Sequence, residues 1–188
     1  MTWNDCLEKY LHQCSNRVSK VSKIPRLSIS LASKLLDELP NLKIIHLIRD
    51  PRAIMNSRDK FSWTPVPGGA VSLCKKIMAD YLSSVEVKRA HPGRLYTVFY
   101  EEIAGNPIET FRGIYDFLGY QFSKNDQIRL TARTASSKQG NAGSTYRFNS
   151  AKTASTWKKQ INSTVLKETN KACFSVYQLL GYPEFKGS

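Results

Sequence analysis

Apolar positions along the chain fall into two periodicities. Leu27, Ile29, Leu31, Ala32, Leu35 and Leu36 recur at helical spacing and predict a helix over 27–38, ended by Pro40. Residues 3–15 carry a similar helical pattern, so the chain opens directly into an element and reads as a piece of something longer. Lys43–Ile48 is different: a short apolar run rich in β-branched residues, which predicts a strand buried on both faces, as in a parallel sheet. Pro51 then suits the first turn of a helix reaching about Lys60. Ser62–Gly69, SWTPVPGG, is a loop by its proline and glycine content.

A long amphipathic helix follows in AVSLCKKIMADYLSSVEVKRA and closes at His91-Pro92-Gly93. Arg94–Ile103, RLYTVFYEEI, predicts a second strand. Asn106, Pro107 and Glu109 mark a helix start: a cap candidate, a proline at the first position and an acid at the third. That helix stops at Gly119, and the last one, Thr164–Leu180, ends in the similar LLGYPEF. The likeness is a shared helix stop, not a repeat. Residues 132–156 are polar, basic and rich in Gly, Ser and Thr, and read as a long loop, which in a compact domain signals function or disorder. Strand–helix–strand order at this spacing predicts one α/β domain with a parallel sheet, of which two strands are too few to be the whole.

Charge narrows the partners. Lys and Arg number 28 against 15 Asp and Glu, a net +13. The excess suits a nucleic acid, an anionic membrane surface, a phosphorylated cofactor or an acidic polysaccharide. No apolar stretch reaches the roughly 18 residues of a membrane helix, and no signal peptide is recognisable. The absence of G-x-x-x-x-G-K-[ST] disfavours a nucleotide kinase. Cys6, Cys14, Cys74 and Cys173 match no zinc spacing; two disulfides and reduced thiols both fit the count. Asn162-Ser163-Thr164 is a glycosylation sequon that matters only in a luminal or secreted chain.

The chemistry concentrates in KIIHLIRDPRAIMNSR, Lys43–Arg58. Ligands of open α/β sheets bind beyond the carboxyl ends of the strands, where Arg49 stands. The following helix start offers N–H groups and a partial positive charge, and Arg49 can fork two donors onto a phosphate. Ser57 lies about two turns on. The plainer alternative pairs Arg49 with Asp50 and turns Ser57 to solvent.

This stretch resembles the 3′-phosphate-binding motif of sulfotransferases that use 3′-phosphoadenosine-5′-phosphosulfate (PAPS), and among them the Golgi carbohydrate sulfotransferases acting on N-acetylglucosamine, galactose or chondroitin. LCKKIMADYLSSVEVKRAHPGRLYTVFYEEIAGNPIETFRGIYDFLGY is similar to the family's helix, strand, Tyr-Glu turn and helix, and STWKK…CFSVYQLLGY to its carboxyl-terminal segment. The resemblance covers roughly Leu27 to Pro183. It implies a P-loop-NTPase-like parallel sheet flanked by helices, a single domain over 1–188 that is incomplete at its N-terminus. The upstream first strand and the 5′-phosphosulfate loop have no counterpart in residues 1–42.

Carried over residue by residue, the resemblance implies that Arg49 and Ser57 bind the nucleotide's 3′-phosphate. Asp50, Pro51, Arg52 and Asn56 shape the turn, the Asp orienting an arginine. Tyr100 lies near the adenine, and the segment with Lys152, Trp157 and Lys158 closes over the nucleotide. Lys158 stands where the family usually has Arg, a point charge in place of a fork. The implied reaction is in-line attack of a sugar hydroxyl on PAPS without a metal, with basic side chains carrying the electrostatic load and a carboxylate or His taking the proton.

No residue is identified as that base: His46 reads as a satisfied core histidine, His91 as a turn residue, Glu101 and Glu102 as surface or helix-cap groups. Trp63 suits an acceptor groove or a packed surface loop equally, and Lys75, Lys76, Lys88 and Arg89 read as a solvated basic face. The implied partners are a glycan acceptor and a nucleotide donor. A nucleic acid is disfavoured for want of a reading motif, and a membrane enters only through an anchor this chain lacks. The family location is the Golgi lumen, where Cys74 and Cys173, which sit at positions resembling family cysteines, would pair. The alternative is an inactive remnant that binds the nucleotide or a glycan.

Overall fold

The computed structural model describes residues 17, 19–60, 68–136 and 146–187. The pattern at 3–15 and the loop around Trp63 lie outside these residues, as do Cys6 and Cys14. Helix α1 (Ile29–Glu38) starts where the Ser28 hydroxyl accepts from Leu31 N–H, two residues later than the apolar pattern suggests. Strand β1 (Ile44–Ile48) follows, then α2 (Pro51–Lys60), α3 (Gly69–Ala90) and β2 (Leu95–Phe99). The strands pair in parallel, with Ile44 opposite Leu95, His46 opposite Thr97 and Ile48 opposite Phe99. The result is a helix-rich α/β architecture built on a small parallel sheet.

One core lies between α1, α3 and the sheet. Ile29, Leu36, Val87 and Leu95 are buried together, with Leu42 and Ile44 packed against them. Arg94 holds the chain entering this region: its Nε donates to Leu42 O at 2.6 Å and its Nη2 to Leu39 O at 2.6 Å. The expectation that β1 is buried on both faces is corrected. Ile45 and Leu47, which alternate with the core-facing positions, are 41% and 54% exposed. Helices α1 and α3 cover one face only, and α5 (Pro107–Leu118) reaches the other face over β2, where Phe117 meets Tyr96 with ring centroids 5.3 Å apart.

The second strand is also shorter than its sequence suggests. It ends at Phe99, and Tyr100 opens a short helix, α4 (Tyr100–Gly105). Glu102 explains the break: its carboxylate accepts from Phe99 N–H, capping a helix whose first turn is acidic. Asn106 stands at the start of α5 as expected, although its side chain makes no capping bond. Gly119 and Gly181 both end helices in the left-handed conformation (φ 83° and 73°), the shared stop read from the sequence.

The long polar loop is mostly ordered where it is described. Helix α6 (Lys124–Thr134) runs into it from one side, and α7 (Ser150–Ser155) with a 3₁₀ turn (Thr156–Lys159) forms its other end. The Asn149 side chain caps α7, and burial of Ala154 and Trp157 anchors it. The last helix, α8 (Ser163–Leu180), is joined to α3 by the Cys74–Cys173 disulfide within a second core of Val176, Tyr177, Ile77, Met78 and Leu180. Among the described residues no helix is long and apolar enough to cross a membrane.

Candidate functional site

The turn between β1 and α2 is held from inside. Asp50 and Arg52 are both buried, Arg52 at 1% exposure. Arg52 Nη2 meets Asp50 Oδ2 at 2.8 Å, and Asp50 Oδ1 accepts from Arg52 N–H at 2.8 Å. The guanidinium also donates from Nη1 to Pro183 O at 3.0 Å and lies over the rings of Tyr177 (4.4 Å) and Trp157 (5.1 Å). Such saturation is what a desolvated ion pair needs to be tolerated. Asp50 therefore orients an arginine, and that arginine is Arg52. Pro51 and Asn56 are buried beside it.

Two carboxylates already occupy donors at this helix start. Asp50 N–H donates to Glu101 Oε1 at 3.0 Å, and Arg52 N–H to Asp50. The expected anion site of open backbone N–H groups is corrected to that extent: the chain's own acids take these two, so an incoming anion depends more heavily on side chains.

Arg49 is the side chain so placed. It is half-buried, and its guanidinium stacks over the Tyr100 ring at 4.3 Å. It forms no ion pair among the described residues, with Asp50 or any other acid. Its Nε is buried without a hydrogen-bond partner. A donor left in that state costs roughly 1–3 kcal/mol, which a bound anion would relieve. The residues present thus fit a phosphate. Ser57 lies half-buried two turns along α2.

Of the remaining expected residues, Tyr100 and Trp157 contact the turn, through Arg49 and Arg52 respectively. Tyr100 begins α4, and α7, which carries Lys152, docks on α4 through a 2.6 Å bond from Ser150 Oγ to Ala104 O. Lys152 itself is exposed. Trp157 is 5% exposed and packs edge-on against Phe185 at 5.3 Å and under the Arg52 guanidinium. Lys158 is exposed, 6.0 Å from the ring centroids of both Trp157 and Phe185.

Sequence reasoning matched the carboxyl-terminal segment to the family but did not single out Tyr177 and Tyr182 in this assembly. Tyr182 Oη donates to Glu101 Oε2 at 3.2 Å, and Tyr182 packs edge-on against Phe99 and Tyr177. Burial pushes both phenols, Tyr177 and Tyr182, well above the usual tyrosine range, helped at Tyr182 by the Glu101 charge. The signal was present in LLGYPEF, where Tyr and Phe flank a proline just past the helix stop.

His46 departs from its expected role. It is half-buried, but Nδ1 has no partner, and neither has Oγ1 of Thr97 opposite it. Burial lowers its pKa, with Asp80 opposing and Lys88 and Lys76 assisting. Glu101 is committed to Asp50 and Tyr182, and Glu102 to its cap. His91 lies 3.6 Å from Asp37 at the end of α3.

The turn after β1 thus holds a buried Asp50–Arg52 pair beside Arg49, which forms no ion pair among the described residues. The profile of the Sulfotransferase family matches residues 5–124, more than half of the chain, and the chain belongs to that family. It is 28% identical over 182 residues to carbohydrate sulfotransferase 1 of Danio rerio, covering 87% of this chain and 43% of that protein. It is 26% identical to carbohydrate sulfotransferase 2 of Mus musculus, covering 81% and 37%. Carbohydrate sulfotransferase 6 of Homo sapiens is 24% identical, covering 79% and 43%. The chain spans less than half the length of these relatives.

Proposed function

We propose that this chain is the nucleotide-gripping part of an enzyme that transfers a sulfonate group from PAPS to a carbohydrate hydroxyl, within a P-loop-NTPase-like domain completed by upstream residues. The observation that carries the reading is Arg49: half-buried, stacked on Tyr100, and without an acidic partner among the described residues. Arg49 and Ser57 hold the 3′-phosphate, and Tyr100 stands beside the adenine. Asp50, Pro51, Arg52 and Asn56 set the turn, while Lys152, Trp157 and Lys158 flank the nucleotide. PAPS supplies the sulfonate, and this chain's residues bind and orient its nucleotide end. The carbohydrate sulfotransferases among the relatives support a glycan acceptor, and a Golgi lumen suits both such a substrate and the Cys74–Cys173 bond.

A remnant that binds without turnover is the second reading. It is favoured by the prior commitments of Glu101 and Glu102, which leave neither as a ready base. Calorimetric titration with adenosine 3′,5′-bisphosphate tests the shared claim. The parent binds saturably, and Arg49→Ala weakens binding by about tenfold or more, since a charge-assisted bond contributes roughly 1.5–3 kcal/mol. A folded parent that does not bind would make the Arg49 turn a relic here and leave a glycan-binding remnant as the reading to test next. Sulfate transfer by an upstream-extended chain separates the enzyme from the remnant.

A further inference from the structure

Asn162-Ser163-Thr164 is the one N-x-[ST] triplet in the sequence, and the Arg49 turn makes no use of it. Ser163 and Val165 keep it clear of proline. A triplet of this kind carries a glycan in a folded protein only if its asparagine is at the surface, its amide nitrogen is free and a bulky group fits there. The fold supplies the first condition: Asn162, Ser163 and Thr164 are all exposed, where the 3₁₀ turn hands over to α8.

The cap of α8 supplies the other two. Asn162 stands just ahead of the helix in extended backbone (φ −61°, ψ 136°). Its Oδ1 accepts from Thr164 N–H at 2.8 Å and from Val165 N–H at 3.4 Å. Backbone N–H groups need an acceptor, so the oxygen end of the amide is fixed toward the helix and the nitrogen end is left outside the cap. Nδ2 makes no hydrogen bond among the described residues. An asparagine that carries a sugar on Nδ2 keeps its carbonyl oxygen, so both cap bonds survive the modification. Cap and glycan use opposite ends of one amide.

We propose that Asn162 is an N-glycosylation site, bearing an oligosaccharide on Nδ2 while its Oδ1 caps α8. The co-reactant is a lipid-pyrophosphate-linked oligosaccharide of the secretory lumen. Nδ2 forms a bond to the anomeric carbon of the first sugar, and that carbon's bond to the pyrophosphate oxygen breaks. The lipid pyrophosphate leaves with the electron pair, and one Nδ2 proton passes to a base. The inference rests on the luminal setting of the function proposed above. The buried Cys74–Cys173 bond fits the same setting, because disulfides persist in oxidising compartments.

The test expresses the 188-residue chain behind a cleavable secretion leader in insect cells. Electrophoretic mobility is read in lysate and medium, with and without peptide-N-glycosidase F. The parent runs as a retarded species that the glycosidase returns to the unmodified position, leaving aspartate at 162 by peptide mass spectrometry. Thr164→Ala keeps Asn162 and loses the shift. Asn162→Asp keeps the accepting oxygen and loses the shift too. Made in bacteria, Asn162→Asp unfolds at the parent's urea midpoint, whereas Asn162→Ala unfolds at a lower one. An unshifted parent whose leader has been cleaved, a shift that survives in Asn162→Asp, or a lower midpoint for the glycosylated chain than for its deglycosylated product would each overturn the proposal. The leader imposes luminal entry, so the outcome does not depend on Arg49. A glycosylated chain that binds no adenosine 3′,5′-bisphosphate would count against the nucleotide reading alone, and an unmodified chain that binds it against this one alone.

Discussion

The Tyr182 phenol donates to the Glu101 carboxylate at 3.2 Å, while the other oxygen of Glu101 accepts the Asp50 N–H at 3.0 Å. One carboxylate thus ties the carboxyl-terminal segment, 81 residues on, to the turn that carries Arg49, 51 residues back. Tyr182→Phe removes one bond and keeps the ring, so it lowers stability by about 1 kcal/mol. Glu101→Ala strands the Asp50 N–H as well and costs about 2 kcal/mol. Urea unfolding of both variants measures the order; a larger loss in Tyr182→Phe would contradict the linkage.

Arg52 is predicted to be a keystone of the fold. Arg52→Met leaves the Asp50 carboxylate buried without its cation, a loss of roughly 3–5 kcal/mol. Adding Asp50→Asn removes the stranded charge and restores part of the stability. A double-mutant cycle on denaturation midpoints reads this coupling, and strictly additive effects would show that the pair does not act as a unit.

Stability should respond to pH through His46. Its folded-state pKa lies below the ordinary 6.5, because burial disfavours the charged ring. Well above pH 7 the ring is neutral in both states and has no pH-dependent effect. As pH falls through 6.5 the unfolded chain takes up the proton first, so stability declines until the folded-state pKa is passed. The slope of unfolding free energy between pH 7 and 5 is therefore shallower in His46→Gln than in the parent. An unchanged slope would remove His46 as its source.

The Cys74–Cys173 bond closes a segment of 99 residues between α3 and α8. A loop of that length restricts the unfolded chain by about 4–5 kcal/mol in the chain-entropy account. Reduction, or Cys74→Ser/Cys173→Ser, is expected to cost about 2–5 kcal/mol. Unfolding curves with and without reductant should shift by that amount in the parent and not at all in the double variant.

Local signals carried the element order well, because each depends on neighbours in sequence. The helical stops at Gly119 and Gly181 follow from glycine's tolerance of a left-handed backbone, and Pro51 and Pro107 mark first turns for the reason that proline has no N–H to lose there. Two of the errors came where a polar residue had two competing uses. Glu102 in RLYTVFYEEI could extend a strand or cap a helix, and only its bond to Phe99 N–H settles which. Asn149 likewise turns part of a loop-like sequence into α7 by capping it.

The arginine motif was legible as chemistry, since a cation at the end of an apolar β-run is visible in one line of sequence. Which arginine Asp50 pairs with was not. Asp50 adjoins Arg49 and lies two residues from Arg52, and the sequence weights both pairings. Tertiary structure decided the matter by burying Arg52 between Tyr177, Trp157 and Pro183 O, where only a paired guanidinium is tolerable, and by leaving Arg49 stacked on Tyr100. The sequence by itself determined the elements, the family likeness and the positive charge, all sums over local residues. The division of labour among those charges is a property of burial, and burial depends on partners more than a hundred residues away.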